Sequence, residues 1–329
     1  MSETTMIRRA TSEVTFEDRW INVMAHLGIK RNRYRVDPGL HSLGTPDQDS
    51  PVFVTGNYSL SFRALRTALK GIDGYILVLD TKGVNVWCAA GKGTFGTDEL
   101  VLRIEEAHLG EIVKHRRVVL PQLGAPGVAA HEVKKRTGFK VIYGPVLAAD
   151  LPAFLAAGEA TPEMRKVGFP LKRRLEIIPV EIVNTFILTL ILSLPFYFVG
   201  GTITAIAALV AVCAGNILFP PLLPWLPTRN FSTKGFALGA LVALPFALMA
   251  AFGQHGEALW QRAGWTLAYL LFMPAVTAFL SLNYTGASTF TSWSGVKREI
   301  FAYVPVMAWM FAPAVLLMVA LAVARAMGA

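Results

Sequence analysis

The segment Thr81-Lys82-Gly83-Val84-Asn85-Val86-Trp87-Cys88-Ala89-Ala90-Gly91-Lys92-Gly93-Thr94-Phe95-Gly96-Thr97 concentrates the residues whose types could do chemistry. A cysteine thiolate is both a nucleophile and a soft metal ligand. Cys88 stands between Trp87 and two alanines, with glycines just beyond, a surface against which a flat, bulky ligand could lie while the sulfur reaches its centre. Two other readings compete. Gly91, Gly93 and Gly96 spell G-x-G-x-x-G, a dinucleotide signature, but the segment does not follow the first strand and no acidic ribose partner is obvious about 20 residues further on. A phosphate-binding Walker loop fails, because Val86 stands six residues before Lys92 and Gly93 replaces the Ser or Thr that would hold magnesium. A lone cysteine in an apolar stretch is also a common packing residue.

The segment has to be positioned by what flanks it. Pro51 to Thr55 reads as a strand, Ser61 to Lys70 as an amphipathic helix, and Tyr75 to Asp80 as a buried strand. A long helix is expected over Thr97 to Lys114, then a strand at Arg117 to Leu120, a short helix at His131 to Thr137, a strand at Phe139 to Tyr143 and a helix at Leu151 to Ala157. This alternation predicts an α/β domain, a parallel sheet flanked by helices. Ligands of such sheets sit where loops leave the carboxyl ends of the strands. The Gly124-Ala125-Pro126-Gly127 run is at minimum a turn.

Composition divides the chain. Of 329 residues 53% are hydrophobic and 16% charged, with a mean hydropathy of +0.47, too apolar for an ordinary soluble enzyme. Met1 to Glu176 carries 25 Lys and Arg against 19 Asp and Glu, whereas Ile177 to Ala329 carries 6 against 3. The expected organisation is an N-terminal cytoplasmic extension (1–50), an α/β domain (51–165), a basic linker (166–176) and an all-α bundle of five transmembrane helices (177–329) in contact with membrane lipid. The five spans are expected near 178–199, 202–219, 235–253, 264–282 and 303–325, the first two forming a tight hairpin about Gly200-Gly201. Lys172 to Arg174, Arg229, Lys234, Lys297 and Arg298 mark one side of the bundle, so the soluble domain is expected in the cytoplasm and the C-terminus outside, in an inner-membrane protein. Glu3, Glu13, Glu17 and Asp18 argue against a signal peptide. Two cysteines, Cys88 and Cys213, support neither a disulfide framework nor a multi-cysteine metal site. The excess of nine positive charges is interleaved with acids and has no nucleic-acid pattern, so no nucleic acid is expected. Acids, Lys and His are missing from mid-span, which weakens a transporter reading, although Pro195, Pro245, Pro274 and Pro305 would allow kinked helices.

At Asn85-Val86-Trp87-Cys88-Ala89-Ala90-Gly91-Lys92-Gly93-Thr94-Phe95-Gly96-Thr97 the sequence resembles the mercury-methylation corrinoid proteins, whose hallmark is a short cap helix bearing a cysteine over the cobalt of a corrinoid. The resemblance extends through Tyr34 to Leu40, Ser50 to Leu60, Tyr143-Gly144-Pro145 and Ala149 to Pro152, and to the apolar C-terminal half. Asn57 to Leu60 and Gly144-Pro145 further resemble the large subunit of the corrinoid iron-sulfur protein, as does the loop Asn283 to Ser292. Gly56 departs from the Ala or Thr expected in relatives, and a less rigid loop is expected from it. The D-x-H-x-x-G signature of other cobalamin enzymes is absent, since Glu106-Ala107-His108-Leu109-Gly110 has neither its Asp nor its Gly.

The resemblance implies a cobalamin cofactor with Cys88 as lower axial cobalt ligand and catalytic residue. Asn85, Val86, Trp87, Ala89, Ala90, Gly91, Lys92 and Gly93 are the implied pocket, and Thr55, Asn57, Gly124, Gly127 and Gly144 the loop contributors. It implies methyl transfer to Hg(II), forming methylmercury, for which an electron-donating thiolate opposite the methyl group has a chemical reason: Hg(II) is an electrophile and takes the methyl with its electrons. It also implies a methyltetrahydrofolate-linked methyl donor and, because this chain has no redox centre, a ferredoxin-like partner with two 4Fe-4S clusters. The alternatives are a membrane-bound corrinoid methyl carrier for another acceptor and a transporter with a nucleotide-binding cytoplasmic domain.

Overall fold

The computed structural model describes residues 7–29, 33–253, 258–285 and 293–328, and the chain forms two compact units, 1–168 and 169–329. In the first unit the elements run β1 (Arg8–Ala10), α1 (Phe16–His26), β2 (Gly39–Leu43), β3 (Val52–Gly56), α2 (Ser59–Ala68), β4 (Gly74–Leu79), α3 (Val86–Lys92), α4 (Thr97–Glu106), α5 (Leu109–Ile112), β5 (Arg117–Leu120), a 3-10 turn (Gln122–Gly127), α6 (Ala130–Thr137), β6 (Lys140–Tyr143) and α7 (Leu151–Ala157). The sheet order is β1-β2-β4-β3-β5-β6. Strands β4, β3, β5 and β6 are mutually parallel, as the alternation of strand and helix predicts. Strand β2 runs antiparallel to β4, with His41 opposite Ile76, and β1 pairs parallel to β2.

The sheet is therefore mixed, and its first two strands come from the segment expected to be an extension. The domain begins before Pro51, because Gly39–Leu43 completes the edge that β4 would otherwise leave open. In β2, His41 is buried, and its Nε2 lies 2.9 Å from the Asp37 carbonyl oxygen while its ring packs on Phe62. Strands β3 and β4 are buried on both faces, so their side chains alternate between two cores. Val52, Val54, Leu77 and Leu79 join Phe95, Leu100, Ile104 and Val133 on one side. Phe53, Ile76 and Val78 join Phe62, Leu65, Leu69, Leu151 and Phe154 on the other. The single helix expected over Thr97 to Lys114 is interrupted at His108, which takes a left-handed conformation (φ 43°) and separates α4 from α5.

The second unit comprises α8 (Leu171–Leu175), α9 (Ile178–Cys213), a π-helical turn (Ala214–Leu218), α10 (Phe219–Leu222), α11 (Phe231–Phe252), α12 (Leu259–Asn283) and α13 (Trp293–Ala326). Part of the expected basic linker is thus the short helix α8, whose Arg174 donates to the Pro220 and Pro221 carbonyls. Helix α9 is two arms. Gly201 (φ 72°, ψ −165°) interrupts it with a conformation essentially confined to glycine. Asn216 Nδ2 donates to Thr185 Oγ1 at 2.6 Å, although 31 residues of straight helix would place them about 46 Å apart, so the chain reverses at Gly201.

Among the described residues four segments are long and apolar enough to cross a membrane, Ser193–Leu222, Phe231–Phe252, Leu259–Asn283 and Ser294–Ala326, against the five spans expected, and the first of them contains the reversal. Small residues bring these helices together: an added Cβ at Gly235 would lie 2.6 Å from Ala278 Cα, and one at Gly239 would lie 2.5 Å from Pro274 Cα. This is the small-xxx-small packing of membrane helices. Residues 286–292 of the loop that resembles the corrinoid iron-sulfur family lie outside the described residues.

Candidate functional site

The parallel strands β3, β4, β5 and β6 deliver four loops to one end of the sheet: Asn57, Asp80 to Asn85, Pro121 to Gly127, and Gly144 onward. Helix α3 sits in the second of these. Its start is fixed by Asn85, whose Oδ1 accepts a hydrogen bond from the Cys88 N–H at 2.9 Å, the side-chain cap that helix N-termini prefer. Its end is fixed by Gly93 in the left-handed conformation (φ 82°), followed by hydrogen bonds from the Thr94 and Phe95 N–H groups to the Ala89 carbonyl.

Helical phase sorts the predicted pocket residues into two sets. Val86, Ala89 and Ala90 are buried in the core, with Ala89 fully so, which removes them from the surface on which a ligand would lie. Trp87 and Cys88 are half-buried, and Gly91, Lys92 and Gly93 are exposed. Cys88 is therefore on the outward side of α3 and not among the packed alanines. Gly91 is informative in the same way. Glycine costs about 0.5–1 kcal/mol relative to alanine inside a helix, and an added Cβ there would meet nothing within 4 Å, so no contact among the described residues explains it. A thiol and a bare glycine share one face of the helix, one turn apart, which fits a flat ligand approaching the backbone closely with a soft donor aimed at it.

The loop contributors frame this helix from beneath. Asn57 is buried and its amide is fully engaged: Nδ2 donates to Asp80 Oδ1 at 2.9 Å, while Oδ1 accepts from Thr81 N–H at 3.1 Å, Thr81 Oγ1 at 3.0 Å and Gly83 N–H at 2.9 Å. It shapes the loop that launches α3. Thr55 is buried one residue before the end of β3. An added Cβ at Gly127 would lie 2.0 Å from the Phe95 carbonyl oxygen and 3.1 Å from Ala90 Cα, so Gly127 lets the 3-10 turn press against the underside of α3. Gly124 packs on the Phe95 ring and Gly144 on Val119. At Gly56 a Cβ would come within 2.8 Å of the Thr81 side chain, so glycine here makes room for Thr81 and tightens the loop that it was expected to loosen.

Asp80 and Glu99 stood outside the residues expected at the site, and Thr81 only opened the segment around Cys88, because the partners that give them a role, Asn57 for Asp80 and Thr81 and the Asp80 N–H for Glu99, are distant in the chain. Asp80 N–H donates to Glu99 Oε1 at 2.8 Å, and Glu99 pairs with Arg103 at 2.7 Å. Burial pushes the Asp80 carboxyl up, but hydrogen bonds from the Lys82 side chain and N–H and from Asn57 outweigh it and hold the group below the usual carboxylate range. Thr94, directly after α3, has a buried hydroxyl without a hydrogen-bond partner among the described residues. No group of three or more His, Cys, Asp or Glu able to hold a metal ion occurs among the described residues.

The chain is thus a mixed α/β domain followed by a helical unit with membrane-length apolar helices. Residues 21–155 match the family described as CO dehydrogenase/acetyl-CoA synthase delta subunit. The corrinoid/iron-sulfur protein large subunit of Moorella thermoacetica is 32% identical over 129 residues, 39% of this chain and 28% of that protein. The acetyl-CoA decarbonylase/synthase complex subunit gamma is 36% identical over 118 residues in Archaeoglobus fulgidus, 35% of this chain and 25% of that subunit. In Methanothermobacter thermautotrophicus it is 30% identical over 169 residues, 45% of this chain and 36% of the subunit. The chain is thus related to the corrinoid iron-sulfur protein large-subunit family through its first unit, and it spans only about a quarter to a third of the length of these relatives.

Proposed function

We propose that the chain is a membrane-anchored corrinoid methyltransferase that holds cobalt through Cys88 and passes a methyl group to Hg(II). The observation that carries this reading is the placement of Cys88 on the outward face of α3, beside the uncovered Gly91, in a unit related to corrinoid proteins. A corrinoid bound here, cobalamin on this reading, would carry the methyl group on its cobalt and supply the transfer chemistry. The Cys88 thiolate, a soft and strongly donating ligand, would hold the cobalt. Trp87, Gly91, Lys92 and Gly93, half-buried or exposed in the same segment, would be the corrinoid's contacts. Asn85 holds the Cys88 backbone, Asn57 and Thr81 hold the loop before it, and Val86, Ala89 and Ala90 fasten the helix to the core. Thr55, Gly124, Gly127 and Gly144 frame the floor.

With two cysteines the chain cannot hold an iron-sulfur cluster of its own. Reductive reactivation therefore falls to a ferredoxin-like partner with two 4Fe-4S clusters, and methyl supply to a methyltetrahydrofolate-linked donor. The second unit anchors the protein by five spans, the first arm of α9 making the first and its second arm, continued through the π-helical turn and α10, the second, with the soluble unit cytoplasmic and the C-terminus outside. The relatives in acetyl-CoA decarbonylase/synthase complexes favour one second reading, a membrane-bound methyl carrier for another acceptor.

The test replaces Cys88 by Ala and by His in membranes containing the partner. Cys88→Ala should retain some cobalamin, lose the sulfur-ligated absorption spectrum and lose methylmercury formation at equal protein level. Cys88→His should restore a lower ligand without restoring wild-type transfer. A wild-type spectrum and full activity in Cys88→Ala would sink the ligand assignment. Normal ligation with transfer to a different acceptor and none to Hg(II) would select the second reading.

A further inference from the structure

Helix α1 is amphipathic with its apolar side turned outward. At about 100° per residue, Asp18, Asn22 and Ala25 share one face. That face docks on α2 through polar contacts: Arg63 donates to the Asp18 carbonyl at 2.9 Å and to Asn22 Oδ1 at 2.6 Å, and Arg66 pairs with the Asp18 carboxylate at 2.5 Å. Arg66 also donates to the Thr11 and Glu13 carbonyls at 2.5 and 2.7 Å, and Thr15 and Asp18 close a capping box, so the rotation of the helix is fixed. On the opposite side Phe16, Trp20, Val23 and Leu27 fall within an arc of about 60°. Phe16 is 83%, Trp20 55% and Val23 49% exposed. A helix that packs on its own domain through hydrophobic contact turns such a stripe inward; here Ala25 is the one buried residue of α1.

The charges beside the stripe have one predominant sign. Arg19 borders it and is exposed, and the sequence following α1 places Lys30, Arg31, Arg33 and Arg35 within six residues, of which Arg33 and Arg35 are exposed among the described residues. Of the nearby acids, Glu13 pairs with Lys70 and Asp18 with Arg66, leaving Glu17 on the border. Phe and Trp on a short helix flanked by Arg suit the headgroup region of an anionic bilayer, where aromatic rings settle and guanidinium groups reach phosphates. The same chain carries membrane-length apolar helices. A bilayer is therefore tethered to α1, and a three-turn stripe too short to hold a free protein on a vesicle can bind intramolecularly.

We propose that α1 is an interfacial membrane anchor, its Phe16-Trp20-Val23-Leu27 stripe immersed in the headgroup region of an anionic leaflet and Arg19 and Arg33 on lipid phosphates. The full-length protein is placed at one copy per nanodisc, in discs containing phosphatidylglycerol or phosphatidylcholine alone, with lipids brominated near the headgroup end of the acyl chains. The chain has seven tryptophans, so the Trp20 contribution is taken as the difference between wild type and Trp20→Phe, which keeps an aromatic ring on the stripe. In phosphatidylglycerol discs the lipid bromines should quench at least half of the Trp20 emission while soluble acrylamide has little effect. Phosphatidylcholine discs should lower the bromine quenching at least twofold, as should Arg19→Glu combined with Arg33→Glu. Full acrylamide quenching without bromine quenching would overturn the proposal. So would shielding from acrylamide without bromine quenching, which indicates a protein partner, and shielding that appears only at two copies per disc, which indicates self-association.

Discussion

Gly91→Ala separates what α3 needs for its own stability from what the proposed ligand needs. An alanine Cβ at this position meets no atom of the described residues within 4 Å, so the expected effect on the ligand-free fold is the gain in helix propensity, about 0.5–1 kcal/mol. For a unit of 168 residues that corresponds to a rise of roughly 1–4 °C in the melting temperature of the ligand-free protein. The same methyl group stands on the face that carries Cys88, one turn further along. A rigid macrocycle held off that face by about 1 Å forfeits a quarter to a half of its close-contact attraction there. Cobalamin affinity should therefore fall by about tenfold or more, equivalent to roughly 1.4 kcal/mol, and the sulfur-ligated spectrum should weaken as the thiolate is drawn out of reach. Two measurements on one preparation decide it: thermal unfolding without cobalamin and a spectrophotometric cobalamin titration. Higher stability with unchanged affinity would refute the placement of the ligand on this face. Lower stability without ligand would refute the premise that the face is uncovered.

Asn57→Ala removes all four hydrogen bonds of a buried amide and should destabilise the first unit by about 2–4 kcal/mol, with hydrogen exchange of residues 80–84 accelerating before that of β3 and β4. Gly239→Val would drive a side chain into the backbone of α12, where even a Cβ lies 2.5 Å from Pro274 Cα, and thermal unfolding in detergent should show a loss of about 1–3 kcal/mol in the second unit. Burial raises the Asp18 carboxyl, but hydrogen bonds from Arg66 and Thr15 outweigh it and hold the pKa down at about 2, against an ordinary 3.8. The docking of α1 should then contribute fully above about pH 4 and be lost as the pH falls towards 2. Protease cleavage within α1 should rise across that window in the wild type and be high and pH-independent in Asp18→Asn.

Where the fold was legible, local pattern and final environment agree. The strand Arg117–Leu120 and the helix Leu151–Ala157 lie where composition and punctuation put them, and β4 is within a residue of its apolar run. Strand β2 was hidden because its five residues include His41 and Ser42, and the burial of a histidine depends on a carbonyl at Asp37 and a ring at Phe62 that only the fold supplies. The break at His108 carries no Pro. Its neighbour Gly110 has Arg116 in the space a side chain would fill, a contact invisible to a helical pattern. At the site, the segment around Cys88 was evident from residue types alone. Its division was not, although Val86, Ala89 and Ala90 stand at the i, i+3, i+4 spacing of a buried helical face, and seven residues are too few for that period to stand out. Asn57 was legible only as part of a resemblance, since the groups it binds are 23 to 26 residues away.

The division of labour within α3 bears on how a single sulfur can serve as a metal ligand. A cysteine on a mobile loop would leave the position of its sulfur to the ligand, and each binding event would have to order the backbone as well as the side chain. Here the backbone is ordered beforehand from three directions. Asn85 grips the Cys88 N–H, Val86, Ala89 and Ala90 sink into the core, and Gly127 presses the neighbouring turn against Ala90. What remains free at Cys88 is one side-chain torsion with three staggered positions. On the proposed reading the cost of ordering the donor would be met during folding, and the free energy of ligand binding would be left for the contacts on the outward face, the condition under which one thiolate is enough.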